Sequence, residues 1–402
     1  MSAAARLLRR RQGKTAHALI GCSTRGRRET TSMRARILDT LPHRLLWALL
    51  PLDRLYRSLV VPLNQSIYSA RAHRQIEEIV KQSVVDEVHI EATNICNASC
   101  RFCAYRLMER PKRVMELGDF QRYVDQIVAA GVETFDLTAI VGDPFTDALL
   151  FERLAYLRTR AAKTISLTTN AIAMPPHKTD RIISFAESFC GDLLIRISFG
   201  GFDRQTYHKI FQVDRFDRVV KNIMHLLERR QELKLGAVAV ELHVRCPLSG
   251  LKGPTYRMFR DYESRGLLTI RRRVNRDLRY GNWGGKVKPE EIRSVGLTPA
   301  PRPKRFFGPC DLMFSRGFVV TLDGTVNACA CRDVEVSLPI GNLNDEAFID
   351  VIRGARRHRL MAEMMQNRIP PFCRECSEYR SIFSPDADFY RQFLKRAQAS
   401  PR

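Results

Sequence analysis

Apolar residues along this chain change their spacing in a regular way from about residue 84 onward. Short runs with strand character alternate with longer stretches of helical period. Glu87–Thr93 (EVHIEAT), Glu133–Val141 (ETFDLTAIV), Thr164–Thr169 (TISLTT), Leu193–Phe199 (LLIRISF), Ala237–Val244 and Leu267–Val274 predict six strands. Met115–Gly131, Ala148–Ala161, a stretch around Asp180–Glu187, Arg215–Leu233 and Thr255–Ser264 predict the helices between them. In the first helix Phe120, Val124, Ile127 and Val128 repeat at helical spacing, and Gly131 ends it. Such alternation predicts βαβ units on a parallel sheet. Right-handed crossovers curl that sheet, so a full or partial (β/α) barrel fits. A doubly wound sheet has the same alternation.

Barrel chemistry sits at the C-terminal ends of the strands. Asn94–Cys103 follows the first strand, Gly142-Asp143-Pro144 the second and Thr169-Asn170 the third, with Ser198-Phe199-Gly200-Gly201 at the fourth. After Pro289 the pattern changes. Pro299, Pro301 and Pro303 mark a linker, and Asp323-Gly324 between alternating apolar positions is a hairpin signal. A helix over roughly Glu346–Gln366 then leads to a last pair of cysteines. This predicts a small cysteine-rich α+β domain. The expected organisation is a basic, disordered tail over 1–40 and a helical region over 41–83. An α/β core over 84–288, the cysteine-rich domain over 289–385 and a tail over 386–402 follow.

The stretch Leu41–Tyr68 is apolar and helical in character, with Trp47, Leu49, Leu50, Leu55, Leu59 and Val60. Arg44, Asp53, Arg54 and Arg57, with Pro51 and Pro62, are expected to break it into pieces. Its longest uncharged run falls short of the ~20 residues that span a bilayer. A packed or interfacial amphipathic helix is the expectation.

Charge changes this picture in one respect. The 402 residues carry 66 Lys+Arg against 43 Asp+Glu, a formal net charge of +23. Residues 1–36 hold ten of the basic residues and one acid, Glu29. An excess of this size favours acidic partners, namely nucleic acid, an anionic membrane or phosphorylated substrates; a merely solubilising surface is equally consistent. No aromatic-interleaved basic stripe or helix-turn-helix pattern supports specific nucleic-acid binding, whereas peripheral membrane contact fits. The Arg-, Ser- and Ala-rich start has the composition of an organellar transit peptide. A disordered tail and translation from Met33 are the alternatives.

Eight of the eleven cysteines fall in two groups; Cys22, Cys190 and Cys246 are scattered. Tight spacing in a long chain points to metal binding in a reducing, cytoplasmic setting rather than to a disulfide scaffold. Cys190 and Cys246 read as small buried hydrophobes. The first group is Cys96-Asn-Ala-Ser-Cys100-Arg-Phe-Cys103. Three thiolates within eight residues wrap one metal centre only from a loop, and a cubane held by three cysteines keeps one iron open for chemistry. A structural zinc with a distant fourth ligand shares the spacing.

With Phe102 before its last cysteine, this CxxxCxΦC run resembles the signature of the radical S-adenosylmethionine (radical SAM) superfamily, and the resemblance covers roughly residues 85–285. It implies a partial (β/α)6 barrel of TIM type and a catalytic [4Fe-4S] cluster on Cys96, Cys100 and Cys103. It also implies S-adenosylmethionine bound at the open iron. Reduction by an external one-electron donor of flavodoxin or ferredoxin type then yields a 5′-deoxyadenosyl radical that abstracts hydrogen from a substrate carbon. Cofactor contacts carry over to Tyr105, to Gly142 and Asp143 where the family has Gly-Gly-Glu-Pro, to Thr169 and Asn170, and to Ser198. Here the first glycine of that motif is Val141, the acid is one methylene shorter, and Ala171 replaces the glycine of a Thr-Asn-Gly turn. His243 and Arg245 alternate onto one face of the fifth strand. If that face is internal, Arg245 can meet a carboxylate of cofactor or substrate; an outward charged face is the alternative.

The second group is Cys310, Cys329, Cys331 and Cys373-Arg-Glu-Cys376, around the hairpin. It resembles the SPASM/twitch extension of radical SAM enzymes. Four positions, Cys310, Cys329, Cys373 and Cys376, match that block, implying a second [4Fe-4S] cluster with Cys331 spare; four-thiolate zinc has the same spacing. Tyr280-Gly-Asn-Trp-Gly-Gly285 resembles the linker of this subgroup, with Trp283 lining the substrate cleft or packing. The expected reaction is an oxidation or maturation of a carbohydrate-like small molecule or a peptide. A non-catalytic metal-binding scaffold and a membrane-surface enzyme acting on lipid-linked substrates are the competing readings.

Overall fold

A computed structural model of the chain describes residues 43–82, 85, 87–138, 140–160, 162–272, 279–315, 317–330, 332–384 and 387. Expectations for the basic tail, Cys22, Cys331 and the C-terminal tail lie outside these residues.

The core is built as the alternation predicts. Strands β1 (Val88–Ile90), β2 (Thr134–Asp136), β3 (Thr164–Thr169), β4 (Asp192–Phe199), β5 (Val238–Val244) and β6 (Thr269–Arg271) pair in parallel and in sequence order. Helices α2 (Leu117–Ala129), α3 (Leu150–Thr159), α4 (Pro176–Ser188), α5 (Arg204–Phe211), α6 (Phe216–Glu232) and α7 (Pro254–Ser264) occupy the crossovers. Ile195, Ile197 and Phe199 of β4, with Val240, Leu242 and Val244 of β5, are buried. The intervening Arg196, Ser198, Glu241 and His243 are only partly covered. Period-two alternation therefore separates an apolar face from a polar one. This is the α/β architecture expected of a partial barrel.

Four elements differ from the sequence pattern. The second strand stops at Asp136 because the Asp136 carboxylate accepts the Thr138 N–H at 2.7 Å and turns the chain. Helix α5 was not anticipated. Its signal is a cap, since Asp203 Oδ1 accepts the Thr206 N–H at 2.8 Å. The helix expected over 346–366 is two, α10 (Phe348–Arg353) and α11 (Ala355–Met365), parted at Gly354. The N-terminal helix is not in pieces: α1 runs from His43 to Gln82 through Pro51 and Pro62. Each proline removes one backbone donor from a helix of 40 residues that is docked on α10 and α11. No helix among the described residues is long and apolar enough to cross a membrane. Cys246 is buried as read, but Cys190 is exposed in the turn after α4.

After β6 come β7 (Arg279–Tyr280), α8 (Pro289–Ser294), β8 (Thr298–Pro299) and α9 (Leu312–Ser315). The hairpin of β9 (Phe318–Val320) and β10 (Thr325–Asn327) then joins the core sheet, β9 lying parallel to β1, with β11 (Pro339–Asn342) outermost. Gly324 turns this hairpin at φ 81°, where a side chain would strike the Tyr123 hydroxyl. The short α12 (Pro371–Glu375) ends at the last cysteine.

Candidate iron–sulfur and cofactor site

The loop between β1 and α2 carries Cys96, Cys100 and Cys103, and its shape is fixed from three sides. Ser99 and Arg101 donate their backbone N–H groups to Phe211 O and Ile210 O at the end of α5. The Asn94 side chain bonds Pro111 O and the Arg113 N–H where the loop returns. Arg110 makes a two-pronged pair, 2.9 and 2.7 Å, with the fully buried Glu91 just past β1. Burial pushes the Glu91 carboxyl up, and Arg110 opposes that shift.

The three thiols are close enough to perturb one another. Burial, the Asp143 carboxylate and Cys103 push Cys96 up to about 12. Burial and the other two thiols push Cys100 up. Cys103 is raised by burial against the pull of Tyr105 N–H, Arg332, Arg245 and Arg106. Three soft donors crowded in a part-covered loop beside guanidinium groups suit a metal cluster, because a bound metal holds thiolates ionised. The donor set thus fits a three-cysteine cluster.

The other expected cofactor residues ring this loop. Gly142 adopts φ 110°, and a Cβ there would lie 2.6 Å from Thr93 O, so only glycine lets the β2 loop press against the end of β1. Asp143 is buried, and its carboxylate is used internally. It accepts the Phe145 N–H at 3.0 Å, the Thr169 hydroxyl at 2.9 Å and the Asn170 N–H at 2.8 Å. Burial pushes its pKa up against those hydrogen bonds. Asn170 reaches Asn97 Oδ1 at 2.7 Å and Cys96 Sγ at 3.7 Å. Asp143, Thr169 and Asn170 form one polar clasp between β2, β3 and the cysteine loop. Tyr105 donates its N–H to Cys103 Sγ at 3.4 Å and stacks its ring under Lys112. Ser198 Oγ accepts from Arg245 Nη2 at 3.2 Å, and Arg245 Nε has no hydrogen-bond partner among the described residues. Arg245 therefore faces the same interior as Ser198, beside the thiols of Cys100 and Cys103.

The same strands carry a set of charged positions, of which the sequence pattern marks only His243. Arg196 bonds Asp136 at 2.9 Å, while Glu241 accepts from Arg271 and lies 2.7 Å from His243 Nε2. Their common signal is polar residues at every second position of otherwise apolar strands.

Cys310, Cys329, Cys373 and Cys376 also converge. Burial, with Cys329 and Asp311 adding to it, pushes Cys310 up to about 12. Burial and the other three thiols raise Cys373; burial, Cys310 and Cys329 raise Cys376. The 280–285 linker bridges the two sulfur sites. Trp283 Nε1 donates to Phe102 O at 2.8 Å, and Asn282 exchanges hydrogen bonds with Ser377 and Glu375 beside Cys376. Tyr280 packs on Phe102 with ring centroids 5.3 Å apart.

Comparison with known proteins defines the class. Residues 90–240 match the radical SAM superfamily and residues 310–377 match SPASM, an iron–sulfur cluster-binding domain. The chain belongs to the radical SAM superfamily and carries a C-terminal SPASM domain. It is 25% identical over 162 residues to a probable GTP 3′,8-cyclase of Saccharolobus islandicus (strain Y.N.15.51), covering 40% of this chain and 47% of that one. It is 26% identical over 187 residues to the GTP 3′,8-cyclase of Rhizobium leguminosarum bv. trifolii, covering 44% and 50%. The chain spans about half the length of the curated relatives it matches. Among solved structures it is similar to BtrN in complex with AdoMet and 2-DOIA (14% identity, TM-score 0.46, 73% of this chain and 93% of that one). It is also similar to Streptococcus suis SuiB bound to S-adenosylmethionine (14%, 0.41, 71% and 70%).

Proposed function

We propose that this chain is an active radical SAM enzyme whose cluster sits on Cys96, Cys100 and Cys103. The observation that carries the reading is the meeting of these three thiols with the ends of β2 to β5 at one place. When bound, the cluster supplies one electron to the sulfonium of S-adenosylmethionine, yielding methionine and a 5′-deoxyadenosyl radical that takes hydrogen from a substrate carbon.

The chain's own groups hold the parts in place. The clasp of Asp143, Thr169 and Asn170 fixes the β2 and β3 ends against Cys96. Gly142 lets the β2 loop press against Thr93 at the head of the cysteine loop. Ser198 and Arg245 offer a hydroxyl and a guanidinium suited to a carboxylate or ribose. Cys310, Cys329, Cys373 and Cys376 would hold a second cluster, and the Tyr280–Gly285 linker touches both cysteine groups. A cluster there would supply a one-electron acceptor, which suits an oxidation in which the substrate loses a hydrogen atom and then an electron and a proton. The charged interior of Asp136, Arg196, Glu241, His243 and Arg271 favours a small polar substrate of carbohydrate or nucleotide character over an apolar one. A flavodoxin- or ferredoxin-type protein supplies the electron.

Anaerobic reconstitution tests this. The protein should hold about eight irons, two cubanes' worth, and release 5′-deoxyadenosine with dithionite and S-adenosylmethionine. Iron without 5′-deoxyadenosine would favour a non-catalytic scaffold.

A further inference from the structure

Helix α1 presents an apolar surface to solvent. Leu55, Leu59, Leu63 and Ile67 recur every four residues and are 59, 66, 56 and 59% exposed, with Tyr56 at 53% beside them. Residues four apart share a helix face. Among the side chains whose exposure is described, the next most open large hydrophobic is Leu233, at 36%. Soluble surfaces scatter such residues singly, so five in one stripe mark a contact face.

The stripe is not a loose end turned outward. The opposite face of α1 buries Val61, Asn64, Ala72 and Ile76. Two polar bonds pin it to the SPASM side: Asn64 Nδ2 to Phe383 O and Gln65 Nε2 to Asn367 Oδ1, each 3.0 Å. The orientation of the exposed face is therefore set by the fold.

Charge identifies the occupant. Residues 1–36, N-terminal to the helix in the sequence, have ten basic residues and one acid, and Arg44, Arg54 and Arg57 against Asp53 continue the excess into the helix. An apolar helical stripe joined to a basic segment is complementary to an anionic lipid surface, where acyl chains take the leucines and headgroups take the arginines. We propose that α1 lies in the interface of an anionic membrane by its Leu55–Ile67 face, holding the iron–sulfur enzyme at the bilayer surface. This inference is independent of the catalytic reading.

The test is flotation of the full chain with vesicles of phosphatidylglycerol and phosphatidylcholine in equal parts, and of phosphatidylcholine alone. The chain should float with the anionic vesicles, weakly with the neutral ones, and less as salt screens the arginines. The double variant Leu59→Asp, Leu63→Asp should lose roughly tenfold or more of that binding, and Leu233→Asp should lose none. Both substitutions fall on exposed positions, so an unchanged circular dichroism spectrum certifies the fold. Equal binding by the double variant, or no binding to either vesicle, overturns the proposal. So does a wild-type dimer that the double variant splits without any vesicle binding, since the stripe would then face a second copy.

Discussion

Asp143 is the position where this site's construction can be tested by energy. Its carboxylate takes three donors, the Phe145 and Asn170 N–H groups and the Thr169 hydroxyl, with no solvent to replace it. In Asp143→Ala all three lose their acceptor; the hydroxyl can rotate elsewhere, but the two N–H groups cannot. At about 1–3 kcal/mol for each of the two orphaned N–H groups, the loss is about 2–6 kcal/mol. Asp143→Asn keeps one oxygen and sets an amide NH2 against one backbone N–H, costing about 1–3 kcal/mol. At roughly 2 °C per kcal/mol for a chain of this size, alanine should lower the thermal midpoint by about 4–12 °C, and asparagine by about half of that. The Asn170 bond to the cysteine loop should loosen with it, so reconstituted iron at the first site should fall in the same order. Oxygen-free melting curves with iron assay measure both. Equal midpoints and iron contents for wild type and Asp143→Ala would refute the clasp.

Three further outcomes are expected. Arg153 is fully buried, pairs with Asp147 at 2.7 Å and bonds Met115 O. Arg153→Met strands a buried carboxylate, so urea titration should show about 3–5 kcal/mol lost; a loss below about 1 kcal/mol would contradict the pairing. Burial raises the Glu241 carboxyl, but His243 and Arg271 outweigh it and hold it at about 2. A lowered acid contributes stability above its unfolded pKa of about 4.5 and loses it as pH falls towards 2. Glu241→Gln should therefore flatten the acid limb by about 1–2 kcal/mol, the group being part-exposed to solvent. An unchanged limb would show that His243 and Arg271 do not hold it. Substituting Cys373 and Cys376 by serine should leave about four irons, those of the first site; retention of all eight would place the second cluster elsewhere.

The strand and helix order, the three-cysteine loop and the two cysteine groups were legible because each has a local signature: period two, period 3.6 and close thiol spacing. Asp143 was legible as a position but not in its use, since a carboxylate aimed at Thr169 and Asn170 depends on β2 and β3 being neighbours. The joining of β9 to β1 was hidden for the same reason, as the two strands lie 230 residues apart in the register of Val88 with Phe318. Helix α5 escaped because eight residues offer little periodicity and its evidence is one aspartate cap. The barrel-facing Arg196, Glu241 and Arg271 look like surface charges until the sheet curls and turns them inward. Prolines 51 and 62 misled in the opposite direction: local propensity argues for breaks, but packing on α10 and α11 holds α1 in one piece.

The proposed chemistry requires a cubane held by three protein sulfurs, with one iron open to S-adenosylmethionine. The most direct measurement is low-temperature electron paramagnetic resonance of the reduced Cys373→Ser, Cys376→Ser protein, which isolates the first site. Adding S-adenosylmethionine should change the signal of that single cluster, and Cys100→Ser in the same background should abolish the signal altogether. A signal indifferent to S-adenosylmethionine, or zinc in place of iron at Cys96, Cys100 and Cys103, would contradict it.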